Sequence, residues 1–220
     1  MLAIELNTNN IPALQLDDTV GKALQLINDF KVSHLSVVSE EKYLGLIGEA
    51  GLLAAGNKKM HINLLQDEFI HVSIKENDHF LKAVNISNEF NTSQVPVVNN
   101  DNDFLGSISD QDLLKNLGNF SGAKEVGGLI VLEMKRSQFS ISEISRIVES
   151  NEAVISHVNT TVHPENGLLT VTIKLNKKDL SMVVAAFERY EYDVIYYFGE
   201  EKFENQIQSN YLHLMNYLDI

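Results

Sequence analysis

The sequence predicts a mixed α/β (α+β) chain in two parts: a first half made of one helix-and-hairpin unit written twice, and a second half of βαββαβ order followed by a terminal helix. Three observations carry this. Residues 17–53 align with residues 77–114 in identity and in periodicity, residues 128–198 alternate apolar strands with two amphipathic stretches, and residues 201–220 repeat apolar side chains at helical spacing.

In the first half, DDTVGKALQLINDFKVSHLSVVSEEKYLGLIGEAGLL at 17–53 lies on NDHFLKAVNISNEFNTSQVPVVNNDNDFLGSISDQDLL at 77–114. Lys22 falls on Lys82, Ala23 on Ala83, Phe30 on Phe90, Ser33 on Ser93 and Val37 on Val97, a shift of 60. After one extra residue in the second turn, Gly45 falls on Gly106 and Leu52 on Leu113, a shift of 61. Val20, Ala23, Leu24, Ile27 and Phe30 recur at helical spacing, as do Phe80, Ala83, Val84, Ser87 and Phe90, so each copy opens with an amphipathic helix. Asp18 and Thr19 before the first helix, and Asn77 and Asp78 before the second, are of the types that accept hydrogen bonds from first-turn amides. Short strands follow at 35–38 and 95–98, then the charged turns SEEK and NNDND, then YLGLI or FLGSI, then another helix.

Each copy closes on a strand-to-helix junction, GLIGEAG at 45–51 and GSISDQD at 106–112. In the second, Gly106 permits close backbone approach, Ser109 stands near the N-cap of the coming helix, and Asp112 lies one turn in on the same side. A hydroxyl, exposed amides and a carboxylate converge there. Helix-start amides suit a phosphate, and a carboxylate suits the two hydroxyls of a ribose. The plainer alternative is a helix cap with nothing bound. At the first junction Gly48 and Gly51 replace the polar pair, and Glu49 adds a charge that opposes a phosphate.

This order of lead-in, helix, two strands and helix, ending in Gly-apolar-apolar-Ser/Thr-x-x-Asp, resembles the CBS domain. The resemblance covers a first copy at about 10–58 and a second at about 66–118, within a first domain of residues 1–120. It implies a Bateman module, two copies packed with pseudo-twofold symmetry around clefts that bind adenine nucleotides. It further implies that Ser109 touches phosphate or ribose, that Asp112 holds the ribose diol, and that the base slots among Ile70, Val72, Val95 and Pro96. AMP, ADP, ATP or another adenosyl compound is the implied ligand. A mono- or diphosphate nucleotide, or a nucleoside, fits better than a triphosphate, because the repeat has scattered lysines and no arginine.

After Gly118 the stretch NFSGAKEVGG is small and polar, which predicts a boundary near 120–128 and a second domain over 128–200. GLIVLEM at 128–134 reads as a buried strand, and SISEISRIVESNE at 140–152 as a helix in which Ser140 and Glu143 match a capping box. VISHVNTTV at 154–162 and LLTVTIKL at 168–175 alternate apolar and polar residues around an Asn-Gly turn, a hairpin signal. DLSMVVAAFERYEY then reads as a helix and DVIYYF at 193–198 as the last strand. The βαββαβ order predicts a four-stranded antiparallel sheet covered on one face by two helices, the ferredoxin-like arrangement. Behind a CBS pair it resembles an ACT domain, and the two together resemble the regulators grouped with acetoin-utilisation protein B. That resemblance implies homodimerisation or signal transmission. Amino-acid binding is the lesser expectation, since Lys135–Phe139 stand where such domains usually carry a glycine. In the tail, Ile207, Tyr211, Leu214, Met215 and Leu218 predict an amphipathic helix over 201–220 that covers the free face of the sheet, the plainest placement, or else seals the domain junction or buries itself in a partner subunit.

Composition narrows the function classes. A net charge of −13 disfavours nucleic acid and anionic membranes as partners, and no apolar run is long enough to span a bilayer. With no cysteine the chain suits a reducing cytoplasm and offers no thiolate nucleophile. The seven histidines make no metal-binding spacing, and no nucleophile elbow or phosphate-loop motif occurs. The sequence therefore predicts a non-enzymatic cytoplasmic sensor without metal, which binds an adenine nucleotide at one cleft and signals through the ACT-like half to a protein target it does not identify. The alternatives are a ligand-free dimerisation module and an amino-acid sensor.

Overall fold

The computed structural model describes residues 1–8 and 10–199, and the chain divides into two compact units, Met1–Leu117 and Gly118–Ile220. The terminal helix expected over 201–220 lies outside the described residues.

In the first unit a short helix α1 (Ala3–Leu6) precedes β1 (Leu14–Gln15), α2 (Val20–Phe30), β2 (His34–Ser39), β3 (Lys42–Gly48) and α3 (Glu49–Ala54). A 3-10 stretch over Ile62–Glu68 leads to β4 (Ile74–Lys75), α4 (Phe80–Phe90), β5 (Gln94–Val98), β6 (Phe104–Ser109) and α5 (Asp110–Phe120). The repeat read from sequence is thus a repeat in space. Each copy forms a three-stranded sheet, β1-β2-β3 or β4-β5-β6, its first pair parallel and its second antiparallel. The helices α2 and α4 end alike, on Lys31 and Asn91 with φ of 55° and 50°. In the middle strands Leu35 and Val37 pack with Val20, Ala23 and Ile27, while Val95 and Val97 pack with Phe80 and Ala83. Strand alternation then turns Ser36 and Pro96 to the opposite face.

Helix starts differ in detail from the expectation. Thr19 accepts from Lys22 N at 3.2 Å, but at the second helix the capping side chain is His79, which accepts from Leu81 N. Asp18 and Asp78 instead close the preceding turns, accepting from Gln15 N and Lys75 N, and each pairs with a lysine four residues on. A carboxylate that ends a turn four residues ahead of a lysine satisfies the two together.

The lead-in segments are exchanged between copies. Ala3 and Leu6 join the core of the second copy, where Ala3 N donates to Asp78 O at 2.8 Å and Thr8 pairs with Ser107 on β6. Ile62 and Phe69, from the connection, join the core of the first copy, and Ile70 pairs with Leu46 on β3. The two hairpin turns also meet. Tyr43 N donates to Asn102 O, Phe104 N to Glu41 O, and Lys42 forms an ion pair with Asp103.

The second unit holds β7 (Gly128–Met134), α6 (Ile141–Glu149), β8 (Ile155–Val162), β9 (Leu169–Leu175), α7 (Ser181–Arg189) and β10 (Asp193–Phe198). Its sheet runs β10-β7-β9-β8 with every pair antiparallel, the ferredoxin-like order. Ile130, Leu132, Val171 and Ile173 meet Ile144, Ile147, Val183 and Phe187 in one core, so both helices cover the same face. Only half of the expected capping box forms. Ser140 Oγ accepts from Glu143 N, but the Glu143 carboxylate accepts from Tyr192 OH at 2.9 Å and lies 3.6 Å from Arg146.

Candidate functional site

β6 delivers Ser109 to the start of α5, and the predicted relation between the two polar side chains is tight. Ser109 Oγ accepts from Asp112 N at 3.0 Å and donates to Asp112 Oδ2 at 2.7 Å. Serine thereby caps the helix and orients the carboxylate, whose Oδ1 accepts no hydrogen bond among the described residues. The pair lines a cleft of about 290 Å³ together with Thr8 and Ile11 of the lead-in and Phe30, Lys31 and Val32 at the end of α2. Among the described residues Lys31 is the one cation in that lining, set against Asp110 and Asp112.

The first-turn amides expected to be exposed are occupied. Asp110 N donates to Ser93 O, Gln111 N to Asp110 Oδ1 and Asp112 N to Ser109 Oγ. An anion at this helix start would have to displace one of those partners.

Of the other residues tied to this site, Gly106 sits on β6 at φ 137°, opposite Val97 where the register shifts. Its freedom serves the bulge. Val95 is fully buried in the core of the second copy, and Pro96 pairs with Ser107 on the other strand face. Ile70 and Val72 lie with the first copy, since Ile70 pairs with Leu46 and the Val72 carbonyl accepts from Tyr43 OH at 2.7 Å. Because lead-ins cross over, the lead-in residues beside Ser109 and Asp112 are Thr8, Asn10 and Ile11. Ser107, two residues before Ser109 on the same strand face, carries a buried hydroxyl without a hydrogen-bond partner.

At the sister junction, the places vacated by the two glycines hold side chains from elsewhere. A β-carbon at Gly48 would lie 3.3 Å from the His34 ring, and one at Gly51 would lie 3.5 Å from a carboxylate oxygen of Glu68. Burial pushes the His34 imidazole below its ordinary pKa. Its Nδ1 accepts from Ser93 N at 3.3 Å and lies 2.9 Å from Ser33 Oγ, so the neutral ring carries its proton on Nε2. A second cavity of about 490 Å³ opens here, lined by His34, Glu49, Asp110 and the first-turn backbone of α3. It is the larger of the two clefts and, among the described residues, holds no lysine or arginine.

Sequence reasoning passed over His34 and gave Lys31 no role. The signal lay in the repeat, where Gln94 stands for His34 and Asn91 for Lys31. In the second unit, a cavity of about 570 Å³ is lined by Lys135, Gln138, Glu143, Tyr192 and further acidic residues. Burial, with the hydrogen bond to Glu143 second, pushes the Tyr192 phenol up to about 12. Among the described residues no group of three or more metal-ligating side chains occurs, and no helix is long and apolar enough to cross a membrane.

Known proteins share this architecture. Residues 3–58 and 68–119 match the model of the CBS domain, and the first unit of the chain is a tandem pair of CBS domains. The chain is 22% identical over 155 residues to an inosine-5'-monophosphate dehydrogenase of Methanocaldococcus jannaschii, covering 70% of this chain and 31% of that enzyme. It thus spans about a third of the length of that relative. Among solved structures, a CBS domain pair/ACT domain protein from Thermotoga maritima superposes with a TM-score of 0.50 at 18% identity, over 55% of this chain and 98% of the other. An acetoin utilization protein from Vibrio cholerae matches at 18% identity and a TM-score of 0.48, over 56% and 95% of the two chains.

Proposed function

We propose that this chain is a non-catalytic, intracellular regulator in which the CBS pair binds one adenine nucleotide, or a related adenosyl ligand, in the cleft of Ser109 and Asp112. The observation that carries this reading is an asymmetry. One cleft keeps an oriented carboxylate with a free oxygen beside a lysine, while its sister has glycines covered by His34 and Glu68. Asp112 Oδ1 accepts from the ribose hydroxyls, and the apolar residues Ile11 and Val32 line the same cleft. A volume of about 290 Å³ stands near the lower end of small-molecule sites and suits one nucleotide. The helix α5, whose first turn lines the cleft, runs on past Gly118 into the chain of the ACT-like unit, through which a homodimer would signal to its target.

Calorimetry with AMP, ADP, ATP, S-adenosylmethionine and cyclic dinucleotides tests this on wild type and Asp112→Ala. Binding that Asp112→Ala abolishes supports it, and no binding of any of them at millimolar concentration sinks it. In that case unchanged thermal stability in every nucleotide favours a ligand-free dimerisation module.

The cavity of the second unit favours a second reading, amino-acid sensing. Glu133, Glu143, Glu191 and Asp193 surround it against a single Lys135, which suits an amino group better than a carboxylate. A thermal-shift panel of amino acids, with responses that survive Asp112→Ala, is its test.

A further inference from the structure

We infer that Lys31 is the phosphate-reading group of the Ser109–Asp112 cleft, and that it makes the site selective for a nucleoside monophosphate. This rests on the nucleotide reading above and adds the group that counts phosphates.

The expected anion receptor, the start of α5, is already bonded within the chain through Ser93 O, Asp110 Oδ1 and Ser109 Oγ. That leaves Lys31 as the positive group of the cleft. Its state differs from that of three other lysines in the repeat. Lys22, Lys42 and Lys82 are paired with Asp18, Asp103 and Asp78, whereas the Lys31 ammonium donates to the neutral Asn28 Oδ1 at 3.3 Å and makes no ion pair among the described residues. An unneutralised ammonium at the wall of a cleft is a receptor for an anion.

Position is fixed as well as charge. Lys31 closes α2 in the left-handed region, with φ 55° and ψ 40° and its N–H bonded to Ile27 O, so the root of the side chain does not wander. At the sister position Asn91 takes the same conformation, φ 50° and ψ 44°, without a charge. The lysine therefore stands in the copy-to-copy cleft that keeps the carboxylate, and its absence marks the other. One ammonium offsets about half the charge of one phosphate monoester. A second and third phosphate would meet Asp110 and Asp112 in the same lining, where like charges at short range repel.

Titration of the full chain with adenosine, AMP and ATP, on wild type and on Lys31→Asn, tests the inference. The variant copies the residue already accepted in the same backbone conformation at position 91, so folding is preserved. Wild type should bind AMP about tenfold more tightly than adenosine and no less tightly than ATP. Lys31→Asn should bring AMP to the adenosine level and leave adenosine unchanged. AMP binding to Lys31→Asn with wild-type affinity, or ATP binding clearly tighter than AMP, would overturn the role of Lys31 while leaving the nucleotide reading intact. Failure of wild type to bind adenosine and AMP alike would remove both.

Discussion

The ring of His34 lies over the α-carbon of Gly48, at 3.3 Å from the point where a β-carbon would stand. A glycine at the motif position and a bulky ring at the strand start are one packing solution, and Ser109 with Gln94 is the other. Restoring serine by Gly48→Ser should cost about 1 kcal/mol through overpacking. With His34→Ala in place the same change should cost little or gain a helix cap, so urea melts of the double-mutant cycle should show a coupling of at least ~0.5 kcal/mol. Additive effects would mean the two residues are independent.

The cap at α5 is a stability element whether or not a ligand is present. Ser109→Ala should destabilise the first unit by about 1 kcal/mol. Because Ser109 and Asp112 bond each other twice, the double substitution with Asp112→Ala should cost less than the sum of the single ones. Chemical denaturation of the unliganded protein reads both quantities.

A pH dependence follows from the buried imidazole. His34 titrates below the ordinary 6.5 because burial disfavours its charged form. Its contribution to stability is complete above 6.5 and is lost as pH falls through the lower, folded-state value. Glu49 and Asp110 are the carboxylates that line the same cavity. Melting temperatures between pH 7.5 and 5.5 should therefore drop in wild type and drop less in His34→Gln, the residue of the sister copy. Parallel curves would assign the dependence to other groups.

Crossing of the lead-ins predicts which copy suffers from trimming. Ala3 is fully buried in the core of the second copy, and its N–H is bonded to Asp78 O. Removing residues 1–7 should speed amide exchange in α4 and β6 while the amides of α2 keep their protection longer. Ile62→Ala should act in the first copy and cost 2–5 kcal/mol, roughly the usual penalty for a fully buried isoleucine. Faster exchange in α2 alone after the trimming would contradict the crossing.

Much of this was legible in the chain because it is local. The periodicity of Val20, Ala23 and Ile27, the Asn166–Gly167 turn and the Ser140 cap each depend on a few neighbouring residues, and each has its predicted counterpart in the fold. The crossing was not legible, because an apolar residue such as Ala3 or Phe69 declares that it will be buried and not against which copy. For the same reason the family resemblance grouped Ile70 and Val72 with Ser109 and Asp112, whereas they bond to Leu46 and Tyr43 of the first copy. Occupation of the α5 amides was hidden as well, since the carbonyl of Ser93 reaches Asp110 only once the sheet exists. The partner of Gly48 could have been read, for positions 34 and 48 depart together from their sisters at 94 and 109.

The exchanged lead-ins bear on how the chain is made. Residues 1–8 are synthesised before their hydrogen-bonding partners at Asp78 and Ser107, which follow several seconds later at ordinary elongation rates. Until then Ala3 and Leu6 have no core to enter, and the second copy cannot close without them. Duplication here has left each copy drawing part of its core from outside its own helix-and-hairpin unit, Ala3 and Leu6 for the second and Ile62 and Phe69 for the first.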